Sequence, residues 1–151
     1  MSIEFVKGVY GIVDVDQERD IGEVLDAFLS CGTKVIQLRM KNRSTEEMLA
    51  TGRTVHQACR QAGALFILND RPDIAAAIEA DGVHLGQTDV PIAAARELLP
   101  HGLIGKSTHN ERQLVLAIAE GAGTTSWTVE LPGVHPVLPR AERRLTTERP
   151  R

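Results

Sequence analysis

Charged, amide and hydroxyl side chains follow several short apolar stretches of the sequence, and their types suit the binding of a metal-bound diphosphate. These side chains belong to Gln37, Arg39, Lys41, Asn69, Asp70, Asp89 and Ser107. Two carboxylates from separate loops can hold Mg²⁺, which typically takes one or two protein carboxylates together with phosphate oxygens of a substrate. Arginine and lysine side chains neutralise phosphate charge. If the fold brings these groups to one rim, we expect a site for a diphosphate substrate and magnesium.

The elements that must position these residues alternate between strand and helix patterns. Apolar stretches predict strands at 9–15, 34–40, 65–69, 82–86 and 103–107. Helical periodicity, capping residues and prolines predict helices at about 20–31, 44–62, 72–80, 91–99 and 110–121. Five such units in a row predict an α/β fold with a parallel sheet and helices outside it. In such folds functional groups gather at the carboxyl ends of the strands, which is where the residues above fall.

Two architectures fit this alternation, a doubly wound open sheet and a barrel of eight units. In the second strand Gln37, Arg39 and Lys41 share one face, and apolar residues share the other. Glycine or polar residues also recur on one face of the fourth and fifth strands. Such a face suits the interior of a small barrel, because parallel strands covered on both faces usually read as continuous apolar runs. The chain supplies five of the eight units, so we expect an incomplete (βα)8 barrel.

The overall composition is typical of a soluble globular domain and restricts the classes of function. The 151 residues suffice for a single domain, and their formal net charge of −3 argues against a nucleic-acid partner. No apolar run is long enough to cross a membrane, and the first residues lack a signal-peptide pattern. Cys31 and Cys59 form no spacing motif, so we expect free thiols and a cytoplasmic protein.

The composition changes near residue 122. Residues 123–151 contain five Arg against three Glu and four of the seven prolines, whereas residues 1–122 contain 12 basic and 17 acidic residues. Several prolines exclude a long helix in this last part. We therefore predict two regions, a partial barrel over 1–122 and an irregular Arg/Thr/Pro-rich tail over 123–151. Within the tail, the segment TSWTVEL is a candidate for one short strand.

Several of the polar residues also have a simpler structural interpretation. Asp70 and Asp89 lie just before helices that begin with proline, so either carboxylate could cap a helix instead of binding metal. We interpret His84 as a hydrogen-bonded interior residue. His56 and Cys59 lie three residues apart on one predicted helix, but no third metal ligand is apparent in the sequence. We therefore interpret this pair as packing and surface residues.

Five segments of the sequence occur in the order and at the spacing found in one enzyme family. They are VYGIVD at 9–14, QLRMK at 37–41, NDRPDIA at 69–75, ADGVHLGQTDVP at 80–91 and GKSTHN at 105–110. Over most of residues 9–122 the chain therefore resembles the thiamine-phosphate synthases and their close relatives, the TenI-like thiazole tautomerases.

The resemblance implies a (βα)8 barrel and a transferase of thiamine biosynthesis. Synthases of this family couple an aminopyrimidine diphosphate to a thiazole phosphate and release pyrophosphate, with Mg²⁺ as the cofactor. By motif, the residues expected to bind the pyrimidine diphosphate are Gln37, Arg39, Lys41, Asn69 and Ser107. Asp70 and Asp89 are expected to ligate the magnesium ion. No side chain is expected to act by covalent catalysis.

The sequence departs from the family pattern in two places. Met40 replaces the acidic residue that usually stands in the QLR-(D/E)-K motif. After residue 122 the family continues with a sixth strand, a glycine-rich phosphate loop and two more units, which carry the thiazole-phosphate site. The Arg-rich tail stands there instead. This break favours the hypothesis of a frameshifted or truncated reading frame and of an impaired synthase.

Two other functions stay open at this point, a TenI-like tautomerase or regulatory relative, and an inactive fragment with no catalytic function. The acidic pair Asp70 and Asp89, together with Ser107, favours the synthase. An incomplete barrel leaves unpaired edge strands, which are prone to associate with other chains. We therefore also expect either low stability or homo-oligomers that complete the barrel between chains.

Overall fold

The computed structural model describes residues 9–17 and 20–127, which form a parallel sheet with helices packed against it. The strands are β1 (Tyr10–Asp14), β2 (Val35–Arg39), β3 (Leu65–Asn69), β4 (Gly82–Leu85), β5 (Leu103–Thr108) and β6 (Thr124–Trp127). The helices are α1 (Ile21–Ser30), α2 (Thr45–Ala62), α3 (Pro72–Ala77), α4 (Ile92–Leu98) and α5 (Glu111–Ala119). The predicted alternation of strand and helix is confirmed for all five units, although α3 ends three residues earlier than predicted.

Every strand pairs in parallel with the strand that follows it in the chain, so the order in the sheet is β1-β2-β3-β4-β5-β6. A doubly wound sheet reverses its strand order at a switch point, whereas a barrel keeps the sequential order. The barrel-type alternative is therefore the correct one. Over the described residues up to Trp127 no pairing joins β1 to β6, so the barrel is incomplete, as predicted.

The sheet continues past residue 122. Residues Thr124–Trp127 pair with Gly105–Thr108 of β5, which adds one strand to the five predicted units. This strand overlaps the start of the TSWTVEL segment. The rest of the predicted tail, residues 128–151, lies outside the described residues, so the domain boundary at residue 122 stays a prediction.

Alternation along the strands gives the sheet an apolar face under the helices and a polar face on the other side. On β2, Ile36 and Leu38 are fully buried in the main core, and Met40 packs into the same core just after the strand. Gln37 projects from the polar face and bonds to side chains of both neighbouring strands. The predicted alternation is thus confirmed. The unusual Met40 lies on the helix side, so it does not occupy the polar face.

Capping interactions fix where the helices after β2 and β5 begin. Ser44 Oγ accepts from the Glu47 amide while the Glu47 carboxylate accepts from the Ser44 amide, which is the capping box expected from the sequence. The α2 helix ends at Gly63, whose φ of 67° is left-handed and favours glycine. Asn110 caps α5 by accepting from the Gln113 amide at 2.9 Å. Ser44 and Asn110 therefore fix where the loops after β2 and β5 end.

His56 and Cys59 are packing residues, as predicted. His56 Nδ1 lies 3.1 Å from the carbonyl oxygen of Ile78, and its ring stacks on Phe66 with centroids 5.3 Å apart. Cys59 is fully buried, Cys31 is exposed, and both thiols are free. None of the helices described between residues 21 and 119 is both long enough and apolar enough to cross a bilayer.

Candidate active site

The polar residues singled out in the sequence meet at the carboxyl ends of β2, β3, β4 and β5. The parallel register places Asn69 beside His84 and Leu85 beside Lys106. Because the strands run in the same direction, the loops that follow them lie at one rim of the sheet. The loop after β3 carries Asp70, and the loop after β4 carries Asp89.

A chain of hydrogen bonds crosses the polar face from β1 to β3. The Tyr10 hydroxyl donates to Gln37 Oε1 at 3.1 Å, and Gln37 Nε2 donates to Asn69 Oδ1 at 2.6 Å. Burial raises the pKa of Tyr10 to about 12, so the phenol stays protonated and acts as the donor. Because Asn69 Oδ1 accepts the hydrogen bond from Gln37, the NH₂ group of Asn69 is the end of the side chain that can donate to other groups.

Acidic residues at the end of β1 and just after it hold the cationic end of β2. Arg39 Nη1 forms an ion pair with Asp14 Oδ2 at 2.5 Å. Asp16 Oδ2 accepts from the backbone amide of Lys41 at 2.9 Å, which fixes the start of the loop. The Lys41 ammonium lies 3.8 Å from Asp70 Oδ2. Both cations predicted to face a diphosphate therefore lie at the rim, and Lys41 is directly beside a predicted metal ligand.

Neither predicted metal ligand caps a helix, so the simpler interpretation of both is wrong. The N-caps of α3 and α4 are Arg71 and Pro91, and no side chain caps either helix. Asp70 has a left-handed backbone with φ of 65°, a conformation that aspartate and asparagine tolerate better than most residues. Asp89 Oδ2 accepts from the amide of Gly86 at 2.6 Å and closes the turn after β4.

The carboxyl groups of Asp70 and Asp89 are neighbours, and their proximity changes the pKa of Asp70. Burial, a hydrogen bond shared with Asp89 and the negative charge of Asp89 raise this pKa to about 6, against the opposing effects of Lys41 and Arg39. The nearby cations therefore do not fully neutralise the acidic pair. A divalent cation would supply the missing charge, so the donor set fits Mg²⁺.

The acidic pair does not form a closed metal site by itself. In the described part of the chain, no group of three or more His, Cys, Asp or Glu side chains could hold a metal ion. Water and phosphate oxygens would therefore complete the coordination, which is the usual mode of Mg²⁺ binding.

Asp70→Asn is expected to stabilise the metal-free protein. Folding raises the pKa of Asp70, so the ionised carboxylate destabilises the folded state. This loss of stability is absent below about pH 4, where the carboxyl is protonated in both states, and is complete above about pH 6. The amide removes the penalty and tolerates the left-handed backbone. We expect the free energy of unfolding at pH 7 to rise by about 1 kcal/mol, a value that includes solvent screening of a partly exposed group.

Urea unfolding at pH 4 and pH 7 in the presence of EDTA measures this effect. Asp26→Asn is the matched control, because Asp26 is exposed on α1. If Asp70→Asn is stabilised equally at the two pH values, removal of the ionised carboxylate is not the cause of its higher stability.

His84 and Ser107 meet on the polar face between β4 and β5. His84 Nε2 lies 2.9 Å from Ser107 Oγ, and burial lowers the pKa of His84, which keeps the imidazole neutral at pH 7. The Gln87 side-chain amide donates to the backbone carbonyl of Ser107. His84 is thus the interior hydrogen-bonded residue predicted from the sequence, and it holds the Ser107 hydroxyl at the rim.

The chain resembles proteins of one known family over most of the residues that the structure describes. The family described as Thiamine monophosphate synthase matches residues 9–126. The chain belongs to this family. A thiamine-phosphate synthase of Synechocystis sp. is 46% identical over 112 residues, which are 74% of this chain and 32% of that protein. A thiamine-phosphate synthase of Chlorobium luteolum is 45% identical over 111 residues, which are 73% of this chain and 52% of that protein.

A solved structure of a related protein shows the same fold. Thiamine phosphate pyrophosphorylase from Pyrococcus furiosus is 37% identical and superposes with a TM-score of 0.75, covering 81% of this chain and 60% of that chain. The predicted family membership and barrel-type fold are therefore confirmed. The chain spans about a third to a half of the length of the curated synthases named above.

Tyr10 contributes to the polar face, and sequence reasoning missed it. Tyr10 is the single tyrosine of the chain and lies in a strand that reads as apolar. The alternation of side chains along β1 could have indicated it. Tyr10 lies on the same face of the sheet as Ile12, and Ile12 pairs with Gln37 of β2. A tyrosine on the face that also carries a glutamine indicates a polar partner across the strands.

Proposed function

We propose that this chain carries the pyrimidine-diphosphate site of a thiamine-phosphate synthase, which couples an aminopyrimidine diphosphate to a thiazole phosphate and releases pyrophosphate. The convergence of Asp70 and Asp89 from separate loops, with the Lys41 ammonium 3.8 Å from Asp70, carries this proposal. Two adjacent carboxylates and a cation are complementary to a diphosphate bound with magnesium. Membership in the family supports the same reaction class.

Charge neutralisation is the main task of the rim. Asp70 and Asp89 would hold Mg²⁺, which when bound neutralises the diphosphate and makes it a better leaving group. Lys41 and Arg39 would face the remaining diphosphate oxygens. The guanidinium of Arg39 is already held by Asp14, so it needs little rearrangement when a ligand arrives.

The polar face would receive the pyrimidine end of the substrate. Asn69 offers NH₂ donors whose direction is set by Gln37, and Ser107 offers a hydroxyl that His84 holds in place. The electron-rich aminopyrimidine itself can stabilise the positive charge that develops on its methylene carbon as the bond to the diphosphate oxygen breaks. The thiazole nitrogen then attacks that carbon. The protein contributes orientation and electrostatic stabilisation, and the reaction requires no protein nucleophile.

We propose a cytoplasmic protein whose partners are its small-molecule substrates. The net charge of −3 supports the expectation that nucleic acid is not a partner, and the free thiols of Cys31 and Cys59 are compatible with a reducing compartment. Homo-oligomers that complete the barrel between chains stay a prediction, which the solution mass of the purified protein would test.

Calorimetric titration with the aminopyrimidine diphosphate, with and without Mg²⁺, tests the proposed site. We expect saturable binding that requires Mg²⁺ and that Asp26→Asn retains. Release of pyrophosphate on addition of the thiazole phosphate tests the complete reaction. Binding without turnover would restrict the function of this chain to pyrimidine-diphosphate binding. Binding that does not depend on Mg²⁺ would overturn the assignment of Asp70 and Asp89.

A further inference from the structure

A buried lysine lies on the helix side of the sheet, opposite to the polar face. Lys106 belongs to β5, and only 8% of its surface is exposed. Ile104 and Thr108, two positions away on the same side of the strand, are completely buried. Lysine is almost never fully buried unless its charge is paired or hydrogen-bonded. Lys106 is not among the residues proposed to bind substrate, so the proposed function does not explain why it is buried here.

The partner of Lys106 is the backbone at the end of β4. Lys106 Nζ donates to the carbonyl oxygen of Gly86 at 2.8 Å. The amide of the same glycine donates to Asp89 Oδ2 at 2.6 Å, and the Asp89 amide lies 3.4 Å from the Gly86 oxygen. Lys106 therefore binds the carbonyl group of Gly86, while the carboxylate of Asp89, the proposed metal ligand, binds its amide.

The Asp89 carboxylate packs closely against this turn. A Cβ atom on Gly86 would lie 3.1 Å from Asp89 Oδ2, so there is little room between the backbone and the carboxylate. With Oδ2 held by the turn, the direction of the carboxylate depends on the orientation of Gly86. The hydrogen bond from Lys106 is charge-assisted and partly buried, and both properties strengthen it as a constraint on that orientation.

We propose that Lys106 is a positioning residue for Asp89. Its ammonium group anchors the turn after β4 from the helix side, so that the Asp89 carboxylate faces Asp70 where the two can share one cation. The inference rests on the proposed function of the Asp70–Asp89 pair. Residues that orient a metal ligand without touching the metal typically change metal affinity by about 10- to 100-fold.

If Lys106 only stabilises the fold, its substitution should have a different effect. Lys106 lines a cavity of about 250 Å³ together with Gln113 and Glu120, so its charge could serve only to stabilise the packing of α5 on the sheet. In that case, substitution of Lys106 would change the free energy of unfolding and leave metal affinity unaltered. Metal affinity and stability, measured on the same variants, therefore separate the two roles.

Titration with Mn²⁺, followed by electron paramagnetic resonance, measures the affinity of the acidic pair without turnover. Lys106→Met keeps most of the apolar stem but removes the donor, and we expect it to lower the affinity for Mn²⁺ about tenfold. Lys106→Arg retains a charged donor that the cavity has room for, and its affinity should stay within about threefold of wild type. This rescue by the conservative variant is specific to a positioning role.

Urea unfolding of the same variants completes the test. Replacing a buried charge by an apolar side chain is often neutral or stabilising, so Lys106→Met should lose affinity without losing stability. A variant that is less stable but binds Mn²⁺ as wild type does would overturn the inference. If Lys106→Met does not fold, Lys106→Gln gives the same comparison, because its side chain is one bond shorter than that of lysine and carries no charge.

Asp89→Asn distinguishes a failure of this inference from a failure of the proposed function. If Asp89→Asn binds Mn²⁺ as tightly as wild type does, the proposed metal site is wrong and the role of Lys106 falls with it. If Asp89→Asn weakens binding and Lys106→Met does not, the proposed function stands and only the role of Lys106 is wrong.

Discussion

Asp89→Asn is expected to remove the Mg²⁺-dependent binding of the aminopyrimidine diphosphate. The substitution leaves a single carboxylate, Asp70, to hold the metal. Removal of a residue that only orients a metal ligand can lower metal affinity about 100-fold. Removal of a ligand itself should lower the affinity for Mg²⁺ by at least that factor. The asparagine oxygen can still accept from the Gly86 amide, so the turn after β4 is preserved. Calorimetric titration of the substrate at fixed Mg²⁺ measures the change.

The same variant has a second readout that does not depend on ligand. The negative charge of Asp89 and its shared hydrogen bond contribute to the raised pKa of Asp70, so this pKa should fall from about 6 when Asp89 becomes neutral. Burial still acts on Asp70, so the fall should be partial. NMR titration of the Asp70 carboxyl carbon checks it, with Asp26→Asn as the control. Unchanged substrate affinity together with an unchanged Asp70 pKa would exclude the carboxylate pair as the metal site.

Gly82→Ala is expected to cost about 3 kcal/mol or more of stability, at or above the upper end of the range for overpacked cores. Gly82 opens β4 and pairs with Leu103 of β5. A Cβ atom on Gly82 would lie 2.3 Å from the carbonyl oxygen of Leu103 and 2.9 Å from its carbonyl carbon. Backbone atoms cannot rotate away as a side chain can, so the two strands would have to separate. Urea unfolding measures the loss.

Gly123→Ala is the matched control for this prediction. A Cβ atom on Gly123 would meet its nearest neighbour, Leu103 Cδ2, at 3.7 Å, which is an ordinary contact. We expect a change in stability within about 0.5 kcal/mol. Similar stabilities of Gly82→Ala and Gly123→Ala would mean that β4 and β5 are not as close as described, and the positions of Asp89 and Ser107 would then need revision.

The elements could be predicted from the sequence because their ends carry local signals. Ser44 and Glu47 form their capping box within four residues of each other, and Gly63 ends the same helix by its left-handed backbone. The polar face could also be predicted, because side chains alternate along any strand and Gln37 falls between two apolar residues. These inferences need only short-range geometry, and the structure confirms them.

The contacts within the site depend on the three-dimensional arrangement of the loops, which the spacing of residues along the sequence does not determine. The choice between helix capping and metal binding for Asp70 and Asp89 was open in the sequence, since both residues precede a proline-started helix. The N-caps of α3 and α4, Arg71 and Pro91, exclude capping by these aspartates, and metal binding by them stays a prediction. The partner of Lys106 is a backbone carbonyl 20 residues away, and no pattern of residue types indicates such a bond.

The sequential strand order also has a consequence for folding kinetics. Paired residues of neighbouring strands are separated by only 15 to 30 positions in the chain, as between Ile67 and Gly82 or between Val35 and Leu65. Contacts of this range have a modest loop-closure entropy, so each strand can join its predecessor without waiting for distant segments to meet. Assembly and opening should both be stepwise. The amides of β1 and β6, the outermost strands of the sheet over residues 9–127, should therefore exchange with deuterium before those of β3 and β4.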